Sequence, residues 1–217
     1  VYEDEHAAVT DILASTQRLT EATQTYQYKN ASPEHPLTMT SRIMNPNFED
    51  GTTGWENDGM LAQTNTSFPG KSGTTYLERW VNIGSKVPDV GIRQTLEGIP
   101  DGKYCLRAAV GNIQQKGTNS TVNAGEKQTG VTLYAGIYDM PVDTMKAHKD
   151  LYFTVVDGQV TIGFKAENAT GNWICLDNVR LYYLGGNTPE DYAAYLSRYA
   201  DDVRKELQAK HIQSAVR

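Results

Sequence analysis

Five side chains in this sequence stand out for the chemistry they could offer on one face of a β-sheet. Trp80, Tyr134 and Tyr138 offer flat aromatic faces, and Glu78 and Arg107 offer directional charge. A pyranose ring presents apolar C–H faces that stack on aromatic rings, while its hydroxyls take directed bonds from charged and amide groups. Each of the five sits in a stretch where apolar and polar residues alternate, and alternation decides which side of a strand a residue occupies. In 76–83 the inward set is Leu77, Val81 and Ile83, which turns Tyr76, Glu78, Trp80 and Asn82 away from the core. In 104–110 Tyr104, Leu106, Ala108 and Val110 point inward, with Cys105, Arg107 and Ala109 opposite. In 131–138 the inward set is Val131, Leu133, Ala135 and Ile137, leaving Thr132, Tyr134 and Tyr138 outside. A ligand-binding face of Trp80, Glu78, Arg107, Tyr134 and Tyr138 is one expectation. The other is that the 112–130 stretch or a helix covers these aromatics, with Glu78 and Arg107 joined as a structural ion pair.

Other chemistries find little support. Glycoside hydrolysis needs two carboxylates about 5–10 Å apart across the scissile bond, and Glu78 is the one acid that alternation places on this face. The sequence therefore predicts a protein that is not an enzyme. His6, His35, His148 and His211 are scattered, with no pair at metal-ligand spacing, and no nucleophile elbow, P-loop or dinucleotide turn occurs. Cys105 and Cys175 each fall inside a predicted strand, either as two buried free thiols or as a bridge between adjacent strands. Trp55, after a G-T-T-G turn, and Trp173, before the last strand, read as packing residues.

The elements that must position these residues are short strands. Runs at 77–83, 104–110, 131–138, 151–155 and 160–165 are separated by turn clusters such as E97-G-I-P-D-G102 and V156-D-G158. Such spacing predicts an antiparallel β-sandwich over about 41–185, and the lack of a βαβ rhythm excludes a parallel nucleotide-binding sheet. The polar stretch 112–130 reads as an extended loop or hairpin. An amphipathic helix within 1–30 carries Val9, Ile12, Leu13, Thr16, Leu19, Ala22 and Tyr26 at helical spacing and stops before K29-N-A-S-P-E-H-P36. A second helix is predicted over 188–213, with Thr188 as N-cap, Pro189 at the first helical position and Asp191 closing a capping box. Each helix has one apolar face, so the two should pack on each other or on an end of the sandwich, or else dock on neighbouring domains. The chain opens at Val1 within a helical pattern, which predicts a processed product or a piece of a longer protein.

Bulk charge narrows the partners. With 20 basic and 26 acidic residues the net charge is −6, which gives no electrostatic footprint for nucleic acid and the wrong sign for an anionic membrane. No apolar run reaches the roughly 18 residues that span a bilayer.

Two segments frame the β region: N45-P-N-F-E-D-G-T-T-G-W55 and N172-W-I-C-L-D-N-V-R-L181. With the P69-G-K-S72 turn and I92-R-Q-T-L-E-G-I-P-D-G-K-Y-C-L106, they resemble the galactose-binding-domain-like jelly rolls, a group that includes carbohydrate-binding modules of bacterial glycan-degrading proteins. The resemblance covers about 140 residues and implies a mainly β jelly roll with flanking N- and C-terminal helices. It implies a non-catalytic glycan-binding module of a secreted, periplasmic or cell-surface protein, or alternatively a structural spacer or protein–protein module, since the fold hosts all of these. It also implies a structural calcium ion held by Glu49 and Asp177, with carbonyls near Lys71 and Ser72 as helpers. Asn178 stands where a second Asp is common, which removes one charge. Without an ion, Glu49 and Asp177 would simply accept backbone hydrogen bonds at strand ends.

Overall fold

A computed structural model of the chain describes residues 2–116 and 126–215. Eleven strands follow one another as β1 (Leu37–Thr38), β2 (Glu56–Asp58), β3 (Leu61–Gln63), β4 (Tyr76–Trp80), β5 (Val90–Glu97), β6 (Gly102–Ile113), β7 (Val131–Ala135), β8 (Tyr138–Pro141), β9 (Lys146–Val155), β10 (Gln159–Ala166) and β11 (Trp173–Tyr183). Helices α1 (Tyr2–Asn30) and α2 (Pro189–Ala215) precede and follow them. The strands form two antiparallel sheets. The first has the order β3-β4-β11-β6-β9, with β1 also on β11, and the second has β2-β5-β10-β7-β8. Consecutive strands β4 to β7 alternate between the sheets, as do β9 to β11, which is the winding of a jelly-roll sandwich. Residues 117–125 of the polar stretch lie outside the described residues.

Alternation builds the main core. Leu77, Tyr104, Leu106, Val110, Leu176 and Leu181 meet Ile92, Leu96, Leu133, Ile162 and Phe164 of the facing sheet, all buried. Each fully buried aliphatic or aromatic side chain is worth about 1.5–3 kcal/mol, so this interface dominates the stability of the domain.

The structure departs from simple alternation in three places. The run 131–138 is not one strand: Gly136 (φ +57°) and Ile137 turn the chain between β7 and β8, and Ile137 is only half-buried. The strand begun at Tyr76 ends at Trp80, so Val81 is half-buried and Ile83 is exposed. Tyr76 does point away from the main core, yet it is fully buried. Residues 64–73 fold over the outer face of the first sheet, and Phe68 packs on Tyr76 (centroids 5.3 Å) within a second, smaller cluster with Ala109, Ile113, Trp173 and Cys175. The ammonium of Lys71 holds this cover closed by donating to the carbonyls of Thr64, Asn65 and Thr74 at 2.9–3.0 Å.

The helices do not bury one another. Val9, Ile12, Leu13, Leu19 and Tyr26 of α1, and Leu196, Tyr199 and Leu207 of α2, remain exposed. Their roots adjoin, however. Tyr28 packs edge-on against Tyr183 (5.5 Å), and α2 starts shortly beyond Tyr183 with the expected capping box: Thr188 N–H donates to Asp191 and Asp191 N–H to Thr188 Oγ1. Cys105 and Cys175 are both free and buried, which settles the two expectations for them. No described helix is long and apolar enough to cross a membrane.

Candidate functional site

Trp80 and Glu78 lie together on the outer face of the first sheet. Cross-strand register puts Trp80 beside Trp173 and Ile113 in one row, and Glu78 beside Leu61 and Cys175 in the next. Trp80 is 47% exposed, yet its ring is held, because its indole N–H donates to Gln115 Oε1 at 2.8 Å. Gln115 is held in turn by Asn172, fully buried, whose amide oxygen accepts from Gln115 N–H (2.7 Å) and whose amide nitrogen donates to Gln115 Oε1 and to the Val81 carbonyl. Glu78 Oε2 accepts from Trp173 Nε1 (2.7 Å) and the Tyr76 hydroxyl (2.9 Å), and its Oε1 accepts from Gln63 Nε2 (3.3 Å). The Tyr76 phenol is pushed well up by burial and by the neighbouring Glu78 charge, so it stays a donor. Gln63, Asn65, Ser67, Glu78, Trp80, Gln115 and Trp173 line a cup of about 240 Å³. One exposed indole face beside fixed amides and a carboxylate is the equipment for stacking a sugar ring and bonding its hydroxyls.

The other proposed ligand residues lie elsewhere. Arg107 does not pair with Glu78. It forms a bidentate pair with Asp150 on β9, directly opposite in register, with Nε–Oδ1 and Nη2–Oδ2 both 2.6 Å. That guanidinium holds the Asp150 carboxyl below the usual carboxylate range. Tyr134 and Tyr138 sit on β7 and β8 of the second sheet, on the opposite side of the sandwich from Trp80. The single five-residue face therefore divides into three places.

Glu49 and Asp177 do come together, through residues 72–75. Glu49 Oε1 accepts from the N–H groups of Thr74 (2.8 Å) and Thr75 (3.2 Å), and Asp177 Oδ2 from that of Ser72 (2.6 Å). The opening segment meets β11 at the same place, where Val179 N–H donates to the Pro46 carbonyl and Arg180 Nη1 to Asn47 Oδ1. There β11 bulges between Asp177 and Arg180, with Asn178 in the left-handed region (φ +53°). Gly73 lies at φ +83°, where an L side chain is strained, and a Cβ there would also push the Glu49 carboxylate out of its place. Asp177 Oδ1 is buried with no hydrogen-bond partner. Burial raises its carboxyl to about 7 and the Glu49 charge adds to the rise, while N–H bonds from Ser72 and Asn178 oppose it. Backbone donors thus occupy one oxygen of each acid. The orphaned Asp177 oxygen fits a hard cation, which takes six to eight oxygen ligands and would draw the remainder from carbonyls. No group of three acidic, His or Cys ligands occurs among the described residues.

Sequence reasoning missed Gln63, Asn65, Gln115 and the roles of Asn172 and Trp173 in the cup. β3 is only three residues long, and Asn65 and Gln115 lie outside strands, so periodicity carries no signal for them.

Fold and cup together describe an antiparallel jelly-roll sandwich with one exposed, held indole on the outer face of its first sheet. No protein-family model matches the chain, and no curated protein matches it. Among solved structures, the chain is similar to TmCBM61 in complex with β-1,4-galactotriose, at 17% identity and a TM-score of 0.49, covering 65% of this chain and 97% of that one. It is also similar to a cyclase from Fischerella sp. TAU, at 16% identity and a TM-score of 0.49, covering 70% of this chain and 100% of that one. A third is the CBM22-1–GH10 portion of Clostridium thermocellum xylanase 10B with xylohexaose, at 14% identity and a TM-score of 0.39, covering 67% of this chain and 29% of that one.

Proposed function

We propose that this chain is a non-catalytic glycan-binding module of a secreted or cell-envelope bacterial protein, and that the Trp80 cup is its binding site. The observation that carries the reading is the held but exposed indole of Trp80 beside Glu78, whose oxygens are already oriented by Trp173, Tyr76 and Gln63. A pre-ordered site avoids the cost of freezing side chains when ligand arrives. The non-catalytic part rests on Glu78 being the single acid among the cup's lining residues. Calcium at Glu49 and Asp177 would serve as a structural clamp away from the sugar, joining the opening segment to β11.

A glycan array probed with wild type and Trp80→Ala tests the reading. Binding to a defined glycan that the variant loses is the expected result. An array without signal across plant, host and microbial glycans would remove it. The exposed apolar stripes of α1 and α2 favour a second reading, a spacer or protein-interaction module whose helices contact neighbouring domains, and that reading predicts the silent array.

A further inference from the structure

The outer face of the second sheet carries an aligned row of side chains that the Trp80 cup does not use. Register places Glu56, Arg93, Gly163, Tyr134 and Asp139 directly opposite one another across all five strands of that sheet. Gly163 in the middle matters. A Cβ there would collide with the hydroxyl and ring of Tyr134, so only glycine lets this tyrosine lie down across β10 instead of standing off the sheet. The ring is half-buried against the backbone, and the Lys165 ammonium lies over it, 5.9 Å from its centroid, so a stacked sugar would take the place of that side chain. On the neighbouring strand, Arg93 donates through Nε (2.9 Å) and Nη2 (2.6 Å) to a single oxygen of Glu56. That leaves Arg93 Nη1 and Glu56 Oε1 as a donor and an acceptor side by side, the pattern that matches adjacent sugar hydroxyls.

Helix α2 converts this flat face into a groove. Arg198 sets its guanidinium 4.7 Å over the ring of Tyr138 and Lys103 pairs with Asp191 at 3.4 Å, which fixes the first half of the helix against the domain. The next turns, through Asp202 and Lys205, form a wall. The groove between wall and sheet measures about 1030 Å³ and continues past Arg93, Tyr134 and Lys165 into a second hollow of about 500 Å³ bounded by Glu56 and Asp89. The larger hollow is lined by four basic side chains (Arg93, Lys165, Arg198, Lys205) and four acidic ones (Asp139, Glu167, Asp201, Asp202). A balanced lining does not select an anion or a cation. It suits a long neutral ligand with hydroxyls along both edges.

From this geometry we infer a second saccharide site, in which a neutral oligosaccharide chain lies in the groove between α2 and the second sheet and stacks one residue on Tyr134. The domain then has two glycan sites on opposite faces, and the second does not depend on the first.

Amide chemical shifts of the full chain, titrated with neutral β-1,4-linked hexaoses of galactose, xylose and glucose, test this inference. For at least one of them, shifts are expected at 91–95, 132–139, 161–167 and 198–205, in Trp80→Ala as in wild type. Tyr134→Ala should weaken that binding about tenfold, the loss of one stacking contact, and Arg198→Ala should weaken it independently, with both variants retaining wild-type shifts at the main core. If no hexaose moves these amides, or only a charged polygalacturonate chain does, the inference is overturned. Shifts confined to the Trp80 cup also overturn it while leaving the first site standing. Shifts confined to the groove support it and sink the Trp80 reading instead.

Discussion

The indole N–H of Trp173 donates to Glu78 Oε2 at 2.7 Å across adjacent strands β11 and β4. Trp173 is nearly fully buried, so one residue serves both as packing and as the group that orients the carboxylate of the cup. Trp173→Phe keeps most of the ring and removes the donor. Losing a bond to a charged acceptor costs about 1–3 kcal/mol, and glycan affinity should fall even though Trp80 is untouched. Denaturant unfolding and a binding titration read the two effects. Unchanged affinity would show that Glu78 does not contact the ligand.

Lys71 is the lock on residues 64–74. Its ammonium satisfies three backbone carbonyls, and Asn65 and Ser67 of the same segment line the cup. Lys71→Met should expose Phe68 and Tyr76 to solvent more often, seen as faster hydrogen exchange in β4, with a stability loss of about 1.5–3 kcal/mol. Exchange in β4 as slow as in wild type would mean that Phe68 packing alone holds the segment.

Asp177 gives the domain an unusual pH dependence when no cation is bound. Its folded value is about 7, against about 3.9 for an unfolded Asp. A carboxyl raised by folding contributes stability below its unfolded value and loses it as pH rises through the folded one. Chelator-treated protein should therefore become less stable between about pH 4 and 7, and Asp177→Asn should flatten that slope. Asp150, held low by Arg107, acts in the opposite sense, but only at more acidic pH. Calcium should raise the melting midpoint near neutrality. A midpoint that ignores both calcium and chelator would count against the cation.

Both thiols should resist labelling in the folded protein. Burial pushes Cys105 up to about 11 and Cys175 well above the ordinary thiol value, so little thiolate forms near neutrality. A colorimetric thiol assay should find both groups after denaturation and almost none before it. Rapid reaction of either one natively would contradict the packing of Phe68 over Cys175 or of the strand face around Cys105.

Sequence made some of this legible and hid the rest for physical reasons. Alternation correctly assigned Tyr104, Leu106, Ala108 and Val110 to the core, because side-chain period is a local property of any strand. Thr188, Pro189 and Asp191 announced α2 because capping is equally local. Alternation says which side of a strand a residue occupies, but not which sheet the strand joins. Tyr134 therefore parted from Trp80, and Arg107 found Asp150, some forty residues on, instead of Glu78. Nor does period reveal a cover such as Phe68 over Tyr76. The meeting of Glu49 and Asp177 was readable only as a resemblance, since it runs through the backbone of 72–75.

The two-residue ladder between β1 and β11, Leu37 with Tyr183 and Thr38 with Tyr182, has a mechanical consequence. The chain enters from α1 and leaves into α2 at this one end, so tension applied through both helices peels the ladder open one pair at a time instead of shearing it. The first yield under load should be small, releasing the chain near Tyr28 and Tyr183, while β4 and β6 stay joined to the remainder of β11. Whatever binds the faces of the sandwich would then stay bound while the attachment stretches.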